Sequence, residues 1–229
     1  MIENERQKTI LAILREEGHI SVKEIARRLH YSDMTIRRDL LALEGAGLLE
    51  RCHGGATELS GARSPIAVRA YAHDESKKKL AKKAAAYLHD GMTVFLDSSA
   101  TSPYLIPYLA EHRRIRAVTN SIHCLLLLSE YHIPTYLLGG AYNEADQCTE
   151  GPATDAAARE LHVDLAVLSS QSVDEDGLVT DTEERQTAVR REILKNAEKT
   201  ILLFDQSKLG RRDLFTLCRR EDVTEMITV

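Results

Sequence analysis

Hydrophobic positions recur at helical spacing in three short segments at the start of the chain. Ile10, Ile13 and Leu14 share one face of a segment from about residue 5 to 17, which Gly18 ends. Val22, Ile25, Ala26 and Leu29 form a second stripe behind Ser21, with Glu24 three residues on, the pattern of a capping box. Ile36, Leu40 and Leu43 form the third, opened by Ser32 and closed by Gly45 or Gly47. His19 and Ile20 read as a short strand, residues 48–53 as another that enters the Gly54–Gly55 turn, and 56–59 as its return. Three helices and a hairpin predict a winged helix-turn-helix over residues 1–57.

Further on the period changes. Residues 58–73 are mixed, hold Gly61 and Pro65, and predict a linker. A helix follows, with Leu80, Ala84 and Leu88 as its buried stripe and Lys77, Lys78, Lys79, Lys82 and Lys83 as a solvated face or, alternatively, a contact with DNA phosphates. Apolar runs at 93–96, 115–119, 135–138, 164–168 and 200–204 then alternate with helical stretches near 102–112, 121–131, 153–161 and 183–197. Buried strands separated by helices predict a layered α/β domain with a mostly parallel sheet over residues 74–229. The expected fold is thus an N-terminal winged helix-turn-helix joined to a larger α/β domain.

Composition narrows the function classes. No apolar run approaches a membrane span, Leu125 to Leu128 among them, and the opening residues MIENERQK carry no signal-like apolar core, so a cytoplasmic location without membrane contact is expected. Cys52, Cys124, Cys148 and Cys218 are scattered, with no CxxC pair, and the nine histidines show no HxxxH spacing. Neither a disulfide framework, a metal site nor a cofactor is expected. Net charge is −5, and residues 1–57 balance nine Lys and Arg against nine Asp and Glu. Nucleic-acid binding must therefore rest on where the charges sit.

On the third helix they sit well. With Ile36 facing the core, Leu40 and Leu43 fall within about 40° of it, Met34 and Arg38 lie on the far side, and Thr35 and Arg37 lie on the flanks. These residues occupy the first turns, the part of a recognition helix that reaches base edges. Arginine offers forked donors to guanine or phosphate, and Thr35 bonds either. Arg51 and His53 on the wing are available to the DNA backbone or minor groove. The alternative, a solvated helix face, loses ground because three buried stripes, two caps and a Gly-Gly wing accompany it.

The run Ser32-Asp33-Met34-Thr35-Ile36-Arg37-Arg38-Asp39-Leu40, preceded by Glu5-Arg6-Gln7 and followed by Leu43-Glu44 and His53-Gly54-Gly55-Ala56, resembles the signature of the DeoR family of bacterial regulators. Tyr31 stands where that family usually has valine. The remainder is also similar to the family, from Lys78-Lys79 through Val118-Thr119-Asn120-Ser121 and Leu138-Gly139-Gly140 to Asp205-Gln206-Ser207-Lys208. The resemblance implies operator binding by residues 1–57, and a sensor domain similar to ribose-5-phosphate isomerases that takes a phosphorylated sugar.

In an open α/β sheet, ligands sit at the C-terminal ends of strands. Asp97-Ser98-Ser99-Ala100-Thr101 follows a strand and opens a helix, and Thr119-Asn120-Ser121 repeats that placement. Both are candidates for phosphate or sugar hydroxyls, and equally for plain helix caps. Gly139-Gly140 is either part of the pocket or only a turn, and Lys208 either the phosphate's cation or a surface lysine, with Asp97 or Asp205 to hold hydroxyls or that lysine. The family usually reads D-S-G-[ST]-T where this chain has Ser99 and Ala100, and G-x-x-G-[IV]-D where it has Ser169-Ser170-Gln171-Ser172-Val173-Asp174. Serine adds bulk where glycine lets backbone approach a phosphate, so the pocket is either reshaped or weakened.

Three functions follow. The leading one is a DNA-binding repressor of a carbohydrate-metabolism operon, answering to a phosphorylated sugar, and a homodimer or homotetramer because one module reads only a half-site. In the second, the C-terminal domain only oligomerises. The third, sugar-phosphate isomerisation, has Asp97, Asp174, Asp176 and Asp205 for carboxylates but no compact acid-plus-lysine constellation, so no enzyme is expected.

Overall fold

The three N-terminal stripes fold as α1 (Glu5–Glu17), α2 (Val22–Leu29) and α3 (Asp33–Gly45), with β1 (His19–Ser21) between the first two. Strands β2 (Glu50–Cys52) and β3 (Gly55–Thr57) complete the wing. This computed structural model describes residues 5–57, 66–70 and 73–229. Residues 58–65 and 71–72 of the expected linker, and the expected strand residues 58 and 59, lie outside the described residues, and Ile66–Arg69 forms a short helix, α4. The chain divides into two compact units, Met1–Asp74 and Glu75–Val229.

In the first unit the stripes meet. Ile10, Leu11, Leu14, Ile25, Ile36, Leu40 and Leu43 are buried together with Leu49 and Ala56 of the wing. Each of α2 and α3 opens on a serine. Ser21 Oγ accepts the N–H of Glu24 at 3.2 Å, and Ser32 Oγ that of Thr35 at 3.2 Å. The turn between them is tight because His30 adopts a left-handed φ of 56° and donates its N–H to the Ala26 carbonyl. The wing strands lie in the order β1-β3-β2, antiparallel throughout. Gly55 is required there, since a Cβ on it would come 2.3 Å from the Ile20 carbonyl oxygen.

The second unit takes in α5 (Asp74–Ala84) from Glu75 onward and centres on a six-stranded parallel sheet of β4 (Thr93–Leu96), β5 (Arg116–Thr119), β6 (Thr135–Leu137), β9 (Val163–Ser169), β12 (Ala197–Phe204) and β14 (Glu225–Thr228). Its order is β6-β5-β4-β9-β12-β14, every pair parallel. The chain winds outward to β6 from β4 and then the other way from β9, so the switch point falls between β4 and β9. Hairpin β7 (Ala141–Asn143) and β8 (Cys148–Glu150) follows β6, and a small antiparallel sheet joins β10 (Ser172–Val173), β11 (Leu178–Asp181) and β13 (Phe215–Arg219). Helices α6 (Ile106–Leu109), α7 (Ile122–Glu130), α8 (Pro152–Arg159) and α9 (Glu184–Asn196) cover the sheet. One apolar core forms around Val94, Leu96, Leu105 and Leu128, the other around Phe95, Leu168, Val189 and Ile193, because alternate residues of β4 face opposite sides.

Three expectations are corrected. Lys77, expected on the solvated face of its helix, is buried, with its Nζ 5.8 Å from the centroid of the Tyr104 ring. The helix predicted over 102–112 is broken into a 3-10 turn, Ser102–Leu105, and the four-residue α6, each with a proline at its start. Residues 141–150, 172–181 and 215–228 hold six strands that the apolar runs did not mark, because they are short or carry polar side chains inward.

Candidate DNA-reading helix and sensor site

Ser32 and Thr35 start α3 and secure it. Their hydroxyls lie 2.9 Å apart, and Ser32 also caps the Thr35 amide. Met34, Arg37 and Arg38 are exposed on the outward face. The helix is held from behind by Asp39, which is buried and accepts from the Arg6 guanidinium and from Gln7 Nε2 at 3.3 Å. Hydrogen bonding to Asp39 outweighs the opposing effect of burial and raises the Arg6 pKa. The same guanidinium lies over the Tyr31 ring, 4.4 Å from its centroid. The aromatic residue in the turn is thus a partner for Arg6.

Charge pairing separates the arginines. On α2, Arg27 and Arg28 both reach Glu24 at 2.6 Å, and Arg28 also pairs with Glu17. These hydrogen bonds pull the Glu24 pKa down to about 2. On the wing, Arg51 lies 3.4 Å from Glu44, while His53 is exposed at the hairpin tip. Among the described residues, Arg37 and Arg38 have no such partner. Residues 1–57, with zero net charge, thus present the unneutralised guanidinium groups of Arg37 and Arg38 on the outer face of α3.

In the second unit the C-terminal ends of β4, β5 and β9 converge. Asp97 just beyond β4 accepts Ser99 N–H at 3.0 Å, Ser102 Oγ at 2.6 Å and, from just across the switch point, Ser169 N–H at 2.9 Å. Ser99 Oγ then accepts the N–H groups of Thr101 and Ser102 at 3.3 and 3.2 Å. After β5, Thr119 Oγ1 donates to the Leu96 carbonyl at 2.7 Å and accepts Ser121 N–H at 3.0 Å, while Ser121 Oγ caps α7. Asn120 Nδ2 donates to the Thr149 carbonyl at 3.0 Å. Gly139 accepts from Thr154 Oγ1 at 2.7 Å, and Gly140, at φ +149°, leaves room for that hydroxyl, which a Cβ would meet at 2.0 Å.

Asp205 and Lys208 sit past β12. Asp205 caps the turn at Gln206–Lys208 by accepting Ser207 N–H at 2.9 Å, and Lys208 Nζ donates to Gln171 Oε1 at 3.1 Å. The Asp97 and Thr119 loops are therefore joined through Leu96, and Asp205 caps the turn that follows β12.

The buried cation at this end of the sheet is Arg190, on α9. Its Nε lies 3.2 Å from Asp97 Oδ2 and its Nη1 2.7 Å from Asp181 Oδ2, with all three side chains nearly inaccessible. Burial opposes its charge, but Asp97, Asp181 and Asp146 more than compensate and raise its pKa. Gln186, one turn earlier, accepts from Ser98 Oγ at 3.3 Å and donates to Asp146. Cys124 beneath the Asp97 loop is pushed up to about 12 by burial.

The pattern described as the DeoR C terminal sensor domain matches residues 72–228, and that of the DeoR-like helix-turn-helix domain matches residues 6–61. The chain belongs to the DeoR family. An L-fucose operon activator of Haemophilus influenzae is 30% identical over 99% of this chain and 90% of its own length. The glycerol-3-phosphate regulon repressor of Escherichia coli is 28% identical over 95% and 87%. A crystal structure of eIF2B delta from Chaetomium thermophilum shares the fold at a TM-score of 0.50 and 14% identity, covering 68% of this chain and 56% of its own. This DeoR-family chain is a DNA-binding transcription regulator.

Arg190, Asp181, Gln186 and Asp146 were not among the residues expected at the site. Gln186, Val189, Arg190 and Ile193 form one buried stripe on α9. A long polar pair at helical spacing inside an apolar stripe was the available signal.

Proposed function

We propose that this regulator represses a carbohydrate-metabolism operon and releases its operator when a phosphorylated sugar, or a related metabolite, binds the sensor domain. The observation that carries the DNA half is the pair of exposed, unneutralised guanidinium groups of Arg37 and Arg38 on a capped α3. In this reading α3 enters the major groove, Arg37, Arg38 and Met34 meet base edges or phosphates, and Ser32 and Thr35 hold the first turn against the backbone. Arg51 and His53 follow the backbone from the wing. Two modules are needed for two half-sites, so the protein acts as a homodimer or homotetramer in the cytoplasm. Control is linkage: an effector that favours the arrangement with low DNA affinity shifts the population away from the operator. The domain senses and does not turn its ligand over.

The switch point between β4 and β9 supports an effector site at Asp97–Thr101 and Thr119–Ser121, with Lys208 for the phosphate. A second reading, a sensor domain that only oligomerises, is favoured by one observation. The Ser99 hydroxyl already accepts the Thr101 and Ser102 amides. Gel retardation on the DNA flanking its own gene, with and without a panel of sugar phosphates, tests the proposal. Retention that a sugar phosphate relieves is expected. Retention that no compound relieves, with no melting shift, would leave the oligomerising reading, and turnover of ribose 5-phosphate would make the domain an enzyme.

A further inference from the structure

Among the described residues of the first unit, three large apolar side chains stand exposed: Tyr31, Met34 and Leu41. Tyr31 is accounted for by the Arg6 guanidinium over its ring. Met34 is 63% exposed, the most of the three, and it is the second residue of α3. It lies about 160° from the buried Ile36, between the directions of Arg37 and Arg38 one turn on. Ser32 and Thr35 are engaged with each other and with the cap, and the exposed Asp33 lies only about 60° from Ile36, so Met34 is the first-turn residue that points furthest outward. A solvated face would place a polar residue there. Bare thioether flanked by unneutralised guanidinium groups suits a surface that is anionic at its edges and offers a methyl group at its floor. The major groove is such a surface, and thymine alone presents a methyl there.

We propose that Met34 reads a thymine by packing its side chain against the C5-methyl group, while Arg37 and Arg38 fix the register on either side. Methionine suits this contact because it is unbranched, polarisable and adapts to an irregular floor. Helix geometry supports the reach, because the first turn of a recognition helix is the part directed at base edges. The inference rests on the placement of α3 in the major groove given under Proposed function.

The full-length protein is used to select duplexes from a random pool, and the preferred duplex is remade with each thymine replaced in turn by deoxyuridine, which removes only the methyl. Loss of about fourfold in affinity, what one buried methyl contributes, is expected at one thymine in each half-site. Met34→Ala, which removes the contact in both half-sites, should bind the unmodified duplex about sixteenfold more weakly and be indifferent to deoxyuridine at that position. Met34→Leu should keep the sensitivity. The proposal is overturned if no replacement affects the parent protein, if the selected half-site holds no thymine, or if Met34→Ala responds to deoxyuridine as the parent does. A pool that yields no preferred sequence removes the placement of α3 in the groove, and this contact with it.

Discussion

Arg190 Nε stands 3.2 Å from Asp97 Oδ2, joining the outer helix α9 to the loop that leaves β4. Neither group has water to fall back on, since both side chains are at most a few per cent exposed. Removing one member of such a pair leaves the other charge buried and unmatched, which costs about 3–5 kcal/mol. Arg190→Met should therefore lower the stability of the sensor domain in urea by that amount, with Asp97 and Asp181 both deserted. Asp97→Asn with Arg190→Met should cost less than the two single changes added together, because the second change relieves what the first left behind. Additive losses would mean that the pair is not coupled.

Ser99 governs the next loop by a different means. Its hydroxyl accepts from Thr101 and Ser102, the backbone donors that an anion at this strand end would need. Ser99→Gly should free both donors, with each hydrogen bond contributing about 0.5–1.5 kcal/mol to a phosphate that takes them. Unliganded stability should fall by about 1–3 kcal/mol for the two lost hydrogen bonds, with glycine's backbone entropy adding about 0.5–1 kcal/mol. The melting shift produced by a fixed concentration of sugar phosphate should grow. A smaller shift than the parent's would show that Ser99 itself holds the ligand.

Thiol reactivity separates the four cysteines. Burial pushes the thiols of Cys124 and Cys218 up to about 12 and that of Cys148 up to about 11, whereas Cys52 is exposed on the wing strand β2. Thiolate, and not thiol, is the nucleophile. At pH 8 a disulfide reagent should titrate one thiol rapidly in the native protein and four in denaturant. Substituting Cys52 with serine should abolish the rapid phase. Two rapid thiols would mean that the sensor core opens on the time scale of the reaction.

Much of this architecture is legible in the chain. The three stripes of the first unit are readable because an amphipathic helix writes its burial into the period of its apolar residues, and Ser21 and Ser32 mark the starts that the structure has. The inner strands β5, β4, β9 and β12 show as apolar runs because both faces are covered, and the edge strand β6 shows by its own apolar run although Tyr136 is exposed. The other edge strand and the satellite strands are silent for the opposite reason. β14 reads EMIT, and β7 reads AYN, each too short and too polar to stand out. Arg190 is silent for a third: its partners Asp97 and Asp181 lie far from each other in sequence, and only folding brings them to one arginine. Ser99 stands out as a departure from glycine, but what its hydroxyl binds depends on loop geometry that no periodicity encodes.

Two arginine pairs of opposite status give the last test. Glu24 neutralises Arg27 and Arg28, and those hydrogen bonds lower its pKa to about 2. A depressed carboxylate contributes its stabilisation above its ordinary pKa of 4.5 and loses it as pH falls toward 2, so the pairing is intact at any pH used for DNA binding. Arg37 and Arg38 carry no such counter-charge among the described residues. Arg38→Ala should therefore weaken operator binding, with about 1–3 kcal/mol of sequence discrimination lost if the residue meets guanine. If it meets phosphate instead, affinity should fall equally on operator and random DNA, and the log–log salt slope should flatten by about 0.9 for each half-site, about 1.8 for a dimer. Arg27→Ala should alter neither, because its charge is already spent on Glu24. Equal losses from Arg27→Ala and Arg38→Ala would place the DNA on α2 as well, and the unneutralised face of α3 would no longer explain where the duplex lies.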